Sequence, residues 1–244
     1  MKREHRKQIK RDELVTGYER SAHWVKAHER EVRATVIGVV VVGLLALAIT
    51  TFQGRRNASA EKAFAEALDI YHAPVAAEIA PGAEKPARVD FATSAEKYQK
   101  AAAAFDGVER RFGSMAAGRR ARFYAAMCRL EMSDYAEAQK GLDRVVAESD
   151  RTSLESAQAR VALADLYRRR GETDKAVVAY QQLVDDAGLA LPRDAVLMSL
   201  ASTLEDARRA KEARASYKRL AEEFPSSVFV AEARRRAENL QTAG

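Results

Sequence analysis

Apolar and charged residues are distributed unevenly along this chain. No charged residue occurs in the 21 positions between Arg33 and Arg55, although 31% of the whole chain is charged. The 19 residues from Ala34 to Phe52 include eleven Val, Ile, Leu or Phe. As a helix, such a segment is roughly 28 Å long, which matches the hydrocarbon thickness of a bilayer. On the translocon scale its apolar residues favour insertion by about 3–7 kcal/mol.

We therefore predict a transmembrane helix over residues 34–53. A buried core helix is the first alternative, but core helices rarely continue for this length without a charge. A cleaved signal peptide is the second alternative. It would need a charged n-region of 33 residues, and no small-residue cleavage site follows Phe52. The segment is interpreted as a signal anchor that remains in the mature protein.

The residues before this segment, 1–33, form a basic tail with ten Lys or Arg against six Asp or Glu. The positive-inside rule then predicts a cytoplasmic N-terminus, with residues 54–244 across the membrane. Apolar tail residues recur at helical spacing: Leu14, Val15, Tyr18, Ala22 and Val25. This amphipathic helix would either lie along the anionic leaflet or extend the span through solvent, and the sequence supports both alternatives equally.

A repeat of about 37 residues fills the rest of the chain. Four alanines define it, because they are separated by 37, 38 and 37 residues: Ala101, Ala138, Ala176 and Ala213. Three further columns keep this spacing: Phe105, Leu142, Tyr180 and Tyr217; Val108, Val145, Leu183 and Leu220; Ala126, Ala164 and Ala201. Agreement of several columns at one period indicates stacked copies of one supersecondary unit.

Each copy has the pattern of two helices joined by a short turn. Gly171 is suited to end the first helix, and Ala176, Tyr180 and Leu183 share one face of the second. Ala164 and Ala176 would let the two helices approach closely. Helix starts are predicted where Thr93 and Thr152 each stand three residues before a Glu, as in a capping box.

The pattern predicts an all-α domain over 54–244. Three regular units are expected at about 116–150, 153–187 and 193–225, followed by a capping helix at 227–241. An irregular first unit occupies about 57–112, and its first helix is expected at about Ala58–Tyr71. A loop insert at 73–90 interrupts this unit, because it contains three of the five prolines in the chain.

These columns resemble the tetratricopeptide repeat family, although no unit has the consensus Trp and the period exceeds the usual 34 residues. The resemblance implies an α-solenoid whose packing positions are Ala126, Ala138, Ala164, Gly171, Ala176, Tyr180, Ala201, Ala213 and Tyr217. It also implies a concave peptide groove lined by the first helix of each unit. The groove positions are Arg120, Phe123, Met127, Gln158, Val161, Asp165, Arg168, Met198, Ser202 and Glu205.

Few residues in the sequence indicate nucleic-acid binding, catalysis or metal binding. The net charge of +6 divides into +4 for the tail and +2 for the repeats, which disfavours nucleic-acid binding. Cys128 has no His nearby in sequence, which favours an inert thiol, and His23 and His28 face different sides of a helix. The arginine runs 168–170 and 234–236 are typical of solvated helix faces. We therefore expect no enzyme, cofactor or metal site.

The plan of a basic tail, one span and a small repeat domain resembles the membrane-anchored bacterial family that includes an ancillary subunit of the Sec translocon. This resemblance implies a single-pass inner-membrane scaffold with periplasmic repeats and lipid around its span. The expected partners are proteins or peptides, namely the translocon, periplasmic chaperones or exported clients. The alternative is a structural coordinator of cell-envelope assembly or division complexes.

Overall fold

The computed structural model describes residues 24, 26–76 and 90–242. Within them the chain is all-α, as predicted, and its β-type pairing is limited to one isolated parallel bridge between Val75 and Phe91. The helices are α1 (Glu29–Tyr71), α2 (Ser94–Phe112), α3 (Ala116–Glu131), α4 (Tyr135–Glu148), α5 (Leu154–Arg169), α6 (Thr173–Val184), α7 (Arg193–Asp206), α8 (Ala210–Glu223) and α9 (Val230–Thr242). Most of the predicted amphipathic tail and of the insert lies outside the described residues.

The chain divides into two compact units, Met1–Ala58 and Ser59–Gly244. Helix α1 is continuous from Glu29 to Tyr71, so the residues predicted as a span and those predicted as the first repeat helix belong to one helix. The physical reason is that the intervening residues contain no proline. Gly54 alone costs about 1 kcal/mol in a helix interior, which does not stop a helix that is favoured on both sides.

In the first unit, the apolar part of α1 has no packing partner among the described residues. Its large side chains between Val36 and Phe52 are each about half or more exposed, and its most apolar window is entirely unburied. Three hydroxyls in this part bond to the helix's own carbonyl oxygens. Thr35 Oγ1 donates to Glu31 O at 2.8 Å, and Thr50 and Thr51 donate to Leu47 O at 3.0 and 2.8 Å.

In the second unit, α2 to α9 each pack against the next helix along the chain. The hairpins are α3 with α4, α5 with α6 and α7 with α8, while the end of α1 packs with α2 in one apolar cluster. The columns of the repeat form the core. The twelve column residues of the three regular hairpins are each at most 4% exposed, because positions 0, 4 and 7 of a helix share one face: Ala126, Ala164, Ala201, Ala138, Leu142, Val145, Ala176, Tyr180, Leu183, Ala213, Tyr217 and Leu220.

The three regular hairpins use the same turn. A residue with positive φ follows each first helix: Ser133 (61°), Gly171 (74°) and Arg208 (59°). In each turn the next amide bonds back five residues, as Asp134 N does to Arg129 O at 2.9 Å and Glu172 N does to Tyr167 O at 2.9 Å. Gly171 therefore ends its helix as predicted, and the turn itself recurs with Ser and Arg in the same place.

Of the two predicted capping boxes, the one at Thr93 forms, whereas α5 begins with a single side-chain cap one residue after Thr152. Glu96 N donates to Thr93 Oγ1 at 3.2 Å, while the Glu96 carboxylate accepts from the Ala92 amide at 3.3 Å. At the start of α5 the cap is Ser153 and not Thr152, and Ser156 N donates to Ser153 Oγ at 3.1 Å. A Thr-Ser pair offers two equivalent hydroxyls, so spacing to a Glu does not select between them.

Candidate protein-interaction surface

The predicted packing residues lie in the core of the second unit. Eight of them are at most 3% exposed: Ala126, Ala138, Ala164, Ala176, Tyr180, Ala201, Ala213 and Tyr217. Gly171 is exposed, as its place in a turn requires. Close helix approach is visible at Gly141, where an added Cβ would lie 2.9 Å from Ala126 Cβ. Small residues in these columns therefore set how closely α3 and α4 approach each other.

The ten predicted groove residues lie on the first helices α3, α5 and α7, and each keeps part of its surface exposed. We call this set the first-helix face. Four of its members line one cavity of about 290 Å³ between α5 and α7: Asp165, Arg168, Met198 and Ser202. Tyr180, Ser199, Thr203 and Asp206 complete the lining. The cavity volume is close to the lower end of small-ligand pockets, about 300 Å³, so it would seat a side chain or two.

The remaining predicted groove residues are partly committed to packing within the domain. Arg120 pairs with Glu61 at 2.6 Å and its guanidinium lies 4.4 Å from the centre of the Phe64 ring. Glu205 accepts from the Tyr217 hydroxyl at 2.6 Å and from Arg236 at 3.2 Å. Phe123, Met127 and Val161 pack beside the buried clusters while staying half-buried, and Gln158 is half-buried on α5.

Burial shifts the pKa of the tyrosine in the cavity further from neutral pH. Burial raises the pKa of Tyr180 to about 12, and the carboxylate of Asp165 acts in the same direction. The hydroxyl is therefore protonated at neutral pH. A side chain seated in the cavity meets a neutral hydroxyl there and not a phenolate.

The arginine runs are largely exposed, as expected, but three of their residues also link helices. Arg169 on α5 donates to Glu131 on α3 at 2.9 Å, and Arg170 donates to Gln139 on α4 at 3.0 Å. Arg236 on α9 joins Glu205 on α7 and Tyr217 on α8. Arg169 and Arg170 lie at the C-terminal end of α5 and Arg236 in the middle of α9. The sequence runs do not show which neighbouring helix each of them reaches.

A larger cavity, of about 940 Å³, was missed by sequence reasoning. It lies beside the second helices, and its lining includes Val146, Val177, Val178, Arg160 and Asp186. Arg160 and Asp186 form an ion pair of 2.8 Å in its wall. The available signal was Val178, an exposed valine on a helix face that the repeat pattern assigns to solvent.

No cluster of three or more metal-ligating side chains occurs among residues 24, 26–76 and 90–242. Cys128 is fully buried in α3, and burial raises the pKa of its thiol to about 12. The thiol is therefore protonated at neutral pH and screened from solvent. Its surroundings are those of a core residue, as expected from its place in a first helix.

The family model for the tetratricopeptide repeat matches residues 129–190 and 161–228. These matches begin in the last turn of α3 and end just after α8. Over these residues the hairpins are similar to tetratricopeptide repeats. Such repeats provide scaffolds for protein–protein interaction and are generally non-enzymatic, so the first-helix face belongs to a protein-binding class of fold.

Two crystal structures of a Podosopora anserina protein, described as a kinesin light chain with nearly identical TPR-like repeats, were compared with this chain. One is of a glutamine-to-methionine variant. Both give a TM-score of 0.48 at 16% sequence identity. They cover 61% and 60% of this chain and 85% of the other. No curated protein matches the sequence.

Proposed function

We propose that this chain is a single-pass protein of the bacterial inner membrane that presents its tetratricopeptide repeats in the periplasm as an interaction scaffold. One observation carries the membrane assignment. The apolar side chains of α1 between Val36 and Phe52 are exposed, with no burial anywhere in the most apolar window. An exposed apolar surface of this size is unfavourable in water and favourable in a bilayer.

Backbone and hydroxyl groups of this segment support the same proposal. A helix satisfies its own amides and carbonyls, as a membrane core demands. The hydroxyls of Thr35, Thr50 and Thr51 are satisfied by carbonyl oxygens of the same helix. The segment therefore has no charged group and no unbonded threonine hydroxyl to bring into lipid.

Charge on the two sides of the segment supports a cytoplasmic N-terminus. Ten Lys or Arg precede the apolar residues in the tail, whereas Arg55, Arg56 and Lys62 are the nearest cations that follow. The repeats then lie on the periplasmic side.

The role we favour is at the Sec translocon or beside periplasmic chaperones, where the first-helix face would receive exported chains. Its support is the combination of one span with a short repeat domain, and the cavity between α5 and α7 offers a place for a client side chain. The second candidate is a coordinator of envelope assembly or division complexes. Its support is the set of ion pairs that join neighbouring hairpins, such as Arg169 with Glu131.

In-cell photo-crosslinking distinguishes the two roles. A photoreactive amino acid at position 198, beside the cavity, is expected to capture translocon subunits or nascent exported chains. The matched control carries the same group at position 215, an exposed position on α8, the second helix of the same hairpin. Recovery of only stable envelope proteins from position 198 would favour the coordinator, and equal recovery from both positions would reject the first-helix face as the site.

The topology has its own test. A C-terminal alkaline phosphatase fusion is expected to be active, and a C-terminal fluorescent protein that matures only in the cytoplasm is expected to be dark. The reverse pair of results would overturn the periplasmic assignment without affecting the repeats.

A further inference from the structure

The cavity of about 940 Å³ beside the second helices shares no lining residue with the first-helix face. Four of its residues lie on one face of α6, because they are spaced by about one helical turn, and α4 contributes a fifth: Val177, Val178, Gln181, Gln182 and Val146. We call the surface lined by these residues the second-helix groove. Its volume is near the upper limit of small-ligand pockets, about 1,000 Å³, so it can seat several side chains at once.

Apolar surface in the second-helix groove is left uncovered by the chain. Val146 and Val177 are half-buried, and each packs beside one of the buried clusters. Val178 is 54% exposed, although it lines the same cavity. Contact between water and these valines is unfavourable, so a partner that covered all three together would gain from their burial.

Polar groups surround the three valines. The Gln182 amide and the Arg151 guanidinium are exposed and donate no hydrogen bond within the described part of the chain. The other charged groups on the lining are engaged: Arg160 Nη1 donates to Asp186 Oδ2 at 2.8 Å, Gln181 Nε2 donates to Asp185 Oδ2 at 2.8 Å, and Arg209 donates to Glu212 at 2.7 and 2.6 Å. An apolar centre with a polar rim is the usual anatomy of a protein–protein interface.

Two arginines share one carboxylate at the end of the groove. Asp186 Oδ2 lies 2.8 Å from Arg160 Nη1 and 3.6 Å from Arg151 Nη2, and the longer of these distances exceeds that of a hydrogen bond. The neighbouring carboxylate of Asp185 lies 3.6 Å from Arg219. Because Asp186 is already bonded to Arg160, the Arg151 guanidinium is available to a carboxylate on a partner.

A helix suits this groove better than an extended segment. An extended segment needs bonds from the site to its backbone amides and carbonyls, whereas the backbone groups of α4 and α6 are bonded within their own helices. A helix bonds its backbone internally and presents only side chains. Its residues at intervals of three and four positions can lie between α4 and α6, as ridges pack into grooves throughout helical domains.

We propose that the second-helix groove binds an amphipathic helix of another protein. The aliphatic stripe of that helix covers Val146, Val177 and Val178, and an acidic residue near one of its ends pairs with Arg151. This inference goes beyond the proposed function and does not depend on what the first-helix face binds, because the two surfaces share no residue.

Site-specific crosslinking in cells identifies the occupant. A photoreactive amino acid at position 178 is expected to capture one partner, and mass spectrometry locates the captured segment. That segment should have aliphatic residues at intervals of three or four positions and at least one Asp or Glu. The same group at position 215, exposed on α8, should not capture it. Absence of an adduct, or capture of lipid, of a second copy of this chain or of a segment without this pattern, would overturn the proposal.

A synthetic peptide of the captured segment then measures what each side chain contributes, with the full chain in lipid nanodiscs. Val178→Glu is expected to weaken binding by about tenfold or more, and Val178→Thr, nearly equal in shape, by less. Arg151→Gln is expected to weaken it by about threefold and to remove most of its salt dependence. Met198→Glu on the first-helix face is the matched control and should leave binding unchanged. Thermal unfolding followed by circular dichroism checks that each variant folds.

Contrary results separate the parts of this proposal. A folded Val178→Glu protein that binds like wild type, or an equal loss of binding from Met198→Glu, would overturn the groove as the site. Unchanged affinity and salt dependence in Arg151→Gln would overturn the acidic contact. A crosslinker that captures nothing at position 198 while position 178 still captures its helix would reject the role of the first-helix face alone.

Discussion

The same aliphatic residues have opposite environments in the two units. In the first unit, Leu44, Leu45 and Leu47 are about 60% exposed. In the second, Leu130, Leu142 and Leu166 are fully buried. Composition does not distinguish the two sets, and their spacing does. Leucines that recur on one face of successive helices find each other, whereas leucines all around a single helix have no partner in the chain.

This contrast divides the stability of the protein into two independent parts. The second unit is held by burial of side chains against each other, at roughly 25 cal/mol per Å² of apolar surface. The apolar part of α1 contributes nothing of this kind, because it touches no other described part of the chain. A substitution in one part should therefore leave the other unaffected, and the first two predictions below pair a change in the repeats with one in the apolar segment.

The largest effect is expected from truncating a buried leucine. Leu142→Ala should lower the free energy of unfolding of the repeat domain by about 2–5 kcal/mol, since it removes contacts and leaves a cavity. Leu45→Ala should leave that value unchanged. The measurement is chemical denaturation of the full chain in detergent, followed by a probe specific to the repeats. Equal destabilisation by the two variants would abolish the distinction between the units.

Glycine positions give the next contrast. A Cβ at Gly118 would lie 2.0 Å from the Phe112 carbonyl oxygen, whereas one at Gly43 meets nothing within 4 Å. Gly118→Ala should destabilise the domain by at least about 1–3 kcal/mol, because the clash is with backbone. Gly43→Ala should leave the free energy of unfolding of the repeat domain unchanged in the same denaturation experiment. If Gly118→Ala left the free energy of unfolding unchanged, the start of α3 would pack more loosely than described.

Substitutions in the hairpin turns should change the stability of the repeats by smaller amounts. Removing a glycine should destabilise them, and introducing one should stabilise them. Gly171→Ala should destabilise by about 1 kcal/mol, because φ is +74° there and L-residues avoid that region. Ser133→Gly and Arg208→Gly should each stabilise by up to about 1 kcal/mol, for the same reason. Differential scanning calorimetry can rank the three variants. Destabilisation by both glycines would mean that the Ser133 and Arg208 side chains matter more than their backbone strain.

Low pH should destabilise the repeats but not the apolar segment, because the apolar segment has no titratable group. The Arg160 guanidinium and the Gly188 amide lower the pKa of Asp186. Its stabilising effect is present above the unfolded pKa of about 3.9 and is lost as the pH falls through the lower folded pKa. Unfolding free energies measured below about pH 5 should therefore fall less steeply for Asp186→Asn than for wild type. An unchanged acid slope would contradict this contribution.

The core of the repeats could be predicted from sequence because it depends on periodicity. Four alanine positions and the residues four and seven places later were enough to identify the buried columns. Gly118 could not be recognised, since its role depends on the Phe112 carbonyl across a turn. The left-handed residues Ser133 and Arg208 were equally hidden, because neither residue type marks such a position, whereas Gly171 does.

The positions of the first-helix face could be predicted from the sequence, but the pairing of its charged side chains could not. Its positions follow from the resemblance of the repeats, and Asp165, Arg168, Met198 and Ser202 do line one cavity. The pairing of its arginines depends on which helix ends are adjacent in space. That information is absent from the spacing of charges along the chain.

The membrane assignment of the apolar segment is the central claim, and extraction of cell membranes with alkaline carbonate tests it most directly. We predict that the wild-type chain stays in the membrane pellet. A Val40→Arg/Leu44→Arg double variant, at a cost of about 5–7 kcal/mol on the insertion scale, should be released with its repeats still folded. Release of the wild-type chain, or retention of the double variant in the pellet, would contradict the account.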